Sequence, residues 1–272
     1  MIFSCICKSI ASKKSLLFSL LLFTFSCSEY FGRKPEKFDQ NVLDAITAGI
    51  SAQSASSCGR FSVAPIRGGV GSVTGNSNGT RTGFNISGCS DSNSLSSLGF
   101  PSVNVEFTGS GVRGASELSR IVSTSDFTSV GGTKNQSIEV TFQIDRSDGY
   151  LDVIANAAVS GTDANGPKYR ITVNEIRPFN SGGTALTFTG PSPPSPVGQT
   201  KTYCFDIHDH SGGHLIGWAK ACSALTDQDR SIGGYGFERA GIQGNMPGSK
   251  IAFVLNGATL RTIIAGEMIA PH

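Results

Sequence analysis

The chain has 272 residues, 34 of them glycine, with 15% charged and 38% hydrophobic side chains and a formal charge of +2. Those figures exclude a collagen repeat, a coiled coil and a charge-rich disordered chain, and they leave enough apolar material for one sizeable core. The charge and the seven cysteines change meaning once the first residues are read as a processing segment.

Lys8, Lys13 and Lys14 precede an apolar run from Leu16 to Phe25, broken only by Ser19 and Thr24, and the run ends in Ser26-Cys27. Ten or so residues are too few to span a bilayer, which takes roughly twenty. A basic region, a short apolar region and a small residue before the cut describe a secretory signal over residues 1–26. With Cys27 immediately after it, the segment resembles a bacterial lipoprotein signal of the relaxed kind found in spirochaetes. That resemblance implies a lipid on Cys27, a membrane partner through the lipid anchor, and export to the bacterial outer membrane on its periplasmic or surface face.

Removing residues 1–26 deletes three lysines and no acid, which leaves 19 basic against 20 acidic side chains. Nucleic acid is not expected as a partner, because a balanced chain without a basic run cannot neutralise a row of phosphates. With Cys5, Cys7 and Cys27 accounted for, Cys58, Cys89, Cys204 and Cys222 remain. An even remainder in an exported chain predicts two disulfides. Nearest-neighbour pairing, Cys58 with Cys89 and Cys204 with Cys222, suits the strand patterns.

Residues 27–57 form the lipidated tether and one short helix, the latter because Val42, Leu43, Ile46 and Ile50 recur at helical spacing. From residue 58 to 272 the period is two. Strands are predicted near residues 60–65, 82–88, 103–108, 118–123, 137–144, 150–159, 168–176, 184–189, 202–210, 214–223, 250–255 and 259–265, separated by Gly, Asn, Asp and Pro clusters. Asp148-Gly149 and Asn256-Gly257 are expected to be two-residue hairpin turns. The fold class is therefore all-β, an antiparallel β-sandwich preceded by a signal peptide and one short helix.

If Cys204 lies opposite Cys222, Asp206 meets Lys220, His208 meets Trp218 and His210 meets Ile216, while Tyr203, Phe205 and Ile207 form the inner surface. The outer face is then expected to be wet. If Cys58 lies opposite Cys89, Phe61 meets Ile86 and Val63 meets Phe84.

From Ser137 onward, Ile138-Glu139-Val140-Thr141-Phe142, Asp148-Gly149-Tyr150-Leu151-Asp152-Val153-Ile154, Lys168-Tyr169-Arg170-Ile171 and the closing run Ile251 to Leu260 resemble a concanavalin A-like jelly roll of the laminin-G kind. The resemblance covers about half the protein and implies a module that binds glycans or matrix proteins. Hydrolases of that fold carry Glu-x-Asp-x-x-Glu on a strand, and no such spacing occurs here, so no enzyme is expected and a glycan hydrolase ranks third.

Asp206, His208, Trp218 and Lys220 are the candidate ligand-binding residues: an aromatic plane with polar neighbours suits a sugar ring or a protein partner. The bland alternative is a tryptophan packed under a loop. His208 and His210 alternate on one strand and are the weak candidates for metal; otherwise no metal or cofactor is expected. Gly75 to Gly79 spells a nucleophile elbow and Gly109 to Gly114 a dinucleotide fingerprint, but both lie among turns with period-two neighbours rather than in strand-to-helix units. The expected function is a lipid-anchored envelope module contacting a glycan or matrix protein, with a structural envelope lipoprotein as the alternative.

Overall fold

The computed structural model describes residues 57–63, 81–127, 135–190, 192–208, 213–226, 228–229, 234, 236–240 and 246–267. The expected signal segment, Cys27, the predicted helix within 27–57, the run Gly75 to Gly79 and His210 lie outside the described residues.

Fourteen antiparallel strands make up the sheet. In chain order they are β1 (Gly59–Ser62), β2 (Arg81–Asn85), β3 (Ser102–Val103), β4 (Val105–Phe107), β5 (Val112–Val122), β6 (Gln136–Ile144), β7 (Tyr150–Ser160), β8 (Asp163–Asn165), β9 (Lys168–Thr172), β10 (Ile176–Phe179), β11 (Thr200–His208), β12 (His214–Trp218), β13 (Phe237–Ala240) and β14 (Lys250–Glu267). Among the described residues one α-helix, α1 (Ser92–Ser97), interrupts them. Its start is written as Asp91-x-x-Ser94: the Asp91 carboxylate accepts the Ser94 N–H at 2.7 Å while the Ser94 hydroxyl accepts the Asp91 N–H.

The two layers follow from β14. Its first half, residues 250–256, lies between β7 and β5; from residue 258 β6 replaces β7 on one side, while on the other β5 continues to Leu260 and β2 takes over from Thr262. One layer therefore runs β10-β9-β7-β14-β5 with β3 and β4 outside, and the other runs β13-β12-β11-β6-β14-β2-β1. Register shifts at Val254/Asn256 and Asn256/Ala258, with Gly257 at φ 60°, mark the place where β14 passes from one layer to the other. Bulges bend and twist a strand in this way. Asn256-Gly257 is thus a bulge inside one long strand rather than the expected hairpin. Asp148-Gly149 likewise joins two strands that lie end to end along β14 instead of pairing with each other. Of the two glycines only Gly257 has a positive φ, which glycine supplies in a hairpin turn or a bulge alike, so the local signal does not choose between them.

The layers meet through inward residues at alternate positions. Tyr169 of β9 lies against Phe205 of β11, with ring centroids 4.2 Å apart, and its hydroxyl donates to the main-chain oxygens of Asp206 (3.3 Å) and Ile216 (3.2 Å). Burial pushes the Tyr169 phenol well above its usual pKa, so the hydroxyl stays a donor. Phe142 and Tyr203 pack edge to face at 5.2 Å, and Phe188 links Tyr169 to Phe237. Past β10, Thr189 exchanges two backbone hydrogen bonds with Glu238 of β13, which ties the edges of the two layers together. The expected strand at 184–189 is reduced to isolated bridges at Ala185 and Thr189.

Both expected disulfides are present, with Cα–Cα distances of 4.4 Å for Cys58–Cys89 and 5.0 Å for Cys204–Cys222. The registers built on them are not. Cys204 pairs with Trp218, Asp206 with Ile216 and His208 with His214, because Cys222 lies beyond β12 in a 3-10 turn, Cys222–Ala224, and reaches back. Gly59 pairs with Asn85 and Phe61 with Gly83, because Cys58 and Cys89 sit outside the ends of β1 and β2. A disulfide fixes the approach of two Cα atoms and leaves the ladder free to slip.

Candidate functional site

The outer face of the second layer was expected to be wet, and it is buried. Asp206 is 1% exposed, His208 0% and Trp218 3%. Trp218 packs with Cys204, Ile216 and Cys222, and its indole N–H donates to the main-chain oxygen of Asp229 at 3.0 Å. The packed alternative holds, and no aromatic plane is presented there. Lys220 pairs with Asp229 at 2.8 Å rather than with Asp206. The rings of His208 and His214 are 6.3 Å apart, and His214 Nδ1 lies 2.9 Å from Glu238. No group of three metal-ligating side chains occurs among the described residues.

The Asp229 carboxylate is held down to about 2, first by the Lys220 hydrogen bond and then by the Thr226 N–H. A pKa lowered on folding adds stability above the unfolded value near 3.8 and loses it as pH falls toward 2. Trp218 is the single tryptophan of the chain, so its fluorescence reports on this turn. Its emission should hold from neutral pH to about pH 4 and shift red between about 4 and about 2; Lys220→Met should move that change to higher pH. An emission shift already complete at pH 5 would contradict the pairing.

The outer face of the first layer is half-open: Lys168, Arg170 and Phe179 are partly exposed on it, while Asp152, Val122, Ile154 and Ala252 are buried. Side chains there fall into transverse rows fixed by the registers. One row runs Arg120 (β5), Val254 (β14), Asp152 (β7), Arg170 (β9) and Arg177 (β10). The next runs Val122, Ala252, Ile154, Lys168 and Phe179. Asn256, Tyr150 and Thr172 lie on the other side. These positions are the outward half of the alternation whose inward half is Leu151, Val153, Tyr169 and Ile171, all buried in the core.

Asp152, 1% exposed, sits at the centre. Its Oδ1 accepts Arg170 Nε at 2.7 Å, and its Oδ2 accepts a second Arg170 nitrogen at 2.8 Å and Lys168 Nζ at 2.7 Å. The fork-to-fork geometry fixes the guanidinium plane. Arg170 then lies over the Tyr150 ring at 3.8 Å and 5.4 Å from the Phe179 ring centre, while Lys168 is 5.2 Å from Phe179. Hydrogen bonding to Asp152 raises the Arg170 pKa further, so its charge is permanent.

Beside this cluster a cleft of about 370 Å³ opens under the β7–β8 turn. Val122, Ile154, Ala252 and Val254 form its floor, and Arg120, Lys168 and Asp163 form its rim. Arg120 and Asp163 are ion-paired across its mouth. On the far side, Arg177 lines a second cleft of about 440 Å³ with Glu175, Leu186 and Phe188. Clefts of this size accommodate small ligands. None of these residues stood out as a site in the sequence, although Lys168-Tyr169-Arg170 carries the relevant signal: two cations flank an aromatic at strand spacing, which puts both charges on one face. The run Gly109 to Gly114 forms the antiparallel turn from β4 to β5, with Gly109 and Gly111 at positive φ and no crossover helix.

Fold and cysteines define an all-β, two-layer antiparallel sandwich tied by two disulfides, the bond type of an oxidising, exported environment. No protein-family model matches the chain and no curated protein matches it by sequence. Solved structures similar to it include the metal-free carbohydrate recognition domain of Emp46p, at TM-score 0.46 and 11% identity over 68% of this chain and 95% of that one. Others are the Ca2+/Man-bound exoplasmic/lumenal domain of VIP36 (0.40, 10%, 64% and 84%) and the carbohydrate binding module CBM66 from Bacillus subtilis (0.35, 12%, 62% and 92%).

Proposed function

We propose that this chain is an exported, lipid-anchored binding module, and that it contacts a glycan through the outer face of the first layer. The observation that carries this reading is the stack of Arg170 on Tyr150 and near Phe179, pinned from beneath by Asp152 and bordered by a cleft with an apolar floor. Sugar rings offer an apolar face and a hydroxyl edge. Aromatic and aliphatic surface beside fixed hydrogen-bond donors matches both.

Donors held by Asp152 need little further ordering when a ligand arrives, which removes part of the usual entropy cost of binding. The leader ending at Ser26 and the cysteine that follows support an acyl anchor on Cys27, which mass spectrometry of the natural product tests directly: an unmodified residue 27 removes the anchor. No helix among the described residues is long and apolar enough to cross a membrane.

The binding reading is tested by presenting the full chain to a glycan array and to a panel of matrix proteins. Specific glycan binding is expected, and Arg170→Ala should weaken it by on the order of tenfold or more, the scale of a central interface residue. Urea midpoints taken on the same samples separate lost binding from lost folding. Silence across the glycans would reject the reading, and binding confined to matrix proteins would replace the ligand class.

A further inference from the structure

Charge is unevenly distributed between the depth and the surface of the face just described. Asp152 lies beneath it at 1% exposure, whereas the side chains of Lys168 and Arg170, which share that one carboxylate, remain 22% and 31% exposed. An approaching group therefore meets the two cations before it meets the acid. Arg120 and Arg177 extend the same transverse row on either side. Each has an acidic partner, Asp163 and Glu175, and both pairs are partly exposed, at 32% and 79% for Arg120 and Asp163 and 49% and 43% for Arg177 and Glu175. Exposed pairs of this kind contribute about 0–1 kcal/mol, so an incoming anion can take the place of the carboxylate at little cost.

Resting on the glycan-binding reading above, we infer that the ligand is an acidic glycan, one whose carboxylate or sulfate groups lie along the row Arg120, Arg170 and Arg177, with Lys168 of the adjacent row beside it. Val254, the partly exposed residue of the apolar cleft floor, meets a sugar face between the charges, backed by buried Val122, Ile154 and Ala252. Arg170 offers its planar fork in a fixed orientation, and that geometry suits carboxylate and sulfate oxygens better than single hydroxyls. Lys168, on the boundary between the charged row and the cleft, adds a point charge with donors to spare beyond its bond to Asp152.

The test uses one matched pair of probes on the full chain: an oligosaccharide alternating glucuronic acid and N-acetylglucosamine, and the same oligosaccharide with every carboxyl reduced to an alcohol. A sulfated oligosaccharide forms a third arm that distinguishes sulfate from carboxylate. Calorimetry should show at least tenfold tighter binding of an acidic form than of the reduced form, and added salt should narrow that ratio by screening. Arg177→Gln should narrow it as well, since the variant removes one cation whose side chain is half in solvent and whose ion-pair partner among the described residues is Glu175. Equal binding of acidic and reduced forms would overturn the inference while leaving glycan binding intact. Binding of none of the three, together with silence on the glycan array, would overturn the reading on which it rests.

Discussion

Phe205→Ala is expected to lower the unfolding free energy by about 3–5 kcal/mol, the range for emptying a fully buried phenylalanine site. Phe205 is 0% exposed on β11 and faces three rings: Tyr169 at 4.2 Å, Phe237 at 6.1 Å and Tyr203 at 6.2 Å. The first of these belongs to the opposite layer, so the variant opens a cavity where the two layers meet. The surrounding strands cannot collapse into it, because Tyr169 is also held by hydrogen bonds to the backbones of β11 and β12. At 2–4 °C per kcal/mol for a domain of this size, the melting temperature should fall by roughly 6–20 °C. Tyr169 is flanked by Lys168 and Arg170, whose side chains point the other way, and the variant should therefore also blur the outer face and raise the Kd of any ligand bound there. A loss below about 1 kcal/mol in urea unfolding would show that the layers do not pack through Phe205.

Removing the Cys204–Cys222 bridge as the double variant Cys204→Ala, Cys222→Ala should cost about 3 kcal/mol through the unfolded chain alone, given the 18-residue separation. Burial adds to this. Cys204 and Cys222 are 0% and 2% exposed and pack with Ile216 and Trp218, so their sulfurs leave a void that the chain-entropy argument does not include. The Cys222 N–H also donates to the Glu139 carboxylate at 2.7 Å, and Arg81 lies 3.6 Å from that carboxylate. Loosening the turn at residue 222 therefore disturbs a buried charge as well. Cys58–Cys89 encloses a longer segment, with a separation of 31, but only Cys89 of the pair is fully buried, Cys58 being half-buried at the edge of the core. The expected order is that loss of the 204–222 bridge lowers the midpoint of urea unfolding more than loss of the 58–89 bridge. Equal or reversed shifts would mean that chain entropy outweighs packing here.

The sequence by itself determined the period of the side chains, and with it the all-β class and the inward set: Ile138, Val140 and Phe142; Leu151 and Val153; Tyr169 and Ile171; Tyr203, Phe205 and Ile207, all in the core. Those assignments depend only on alternation. The β11–β12 register slipped from the expected pairing by an even number of positions, so the inward residues stayed inward. The two cysteine pairings were legible for a similar reason, since proximity along the chain makes them and they do not require the exact ladder.

Tertiary structure alone decided which outer face is open. Asp206, His208 and Trp218 alternate as correctly as Asp152, Lys168 and Arg170 do, and alternation marks both sets as outward. The first set is buried with the turn at Cys222–Ala224 packed against it, while the second remains half-open between two clefts. Periodicity distinguishes the two sides of a strand, but it says nothing about what another part of the chain lays over one of them. The same holds for Asn256-Gly257, where turn chemistry permits a hairpin or a bulge. The partners along β14 select the bulge because it leaves every strand paired: β7 gives way to β6 at the glycine on one side, while on the other β5 runs past it to Leu260 and β2 follows from Thr262.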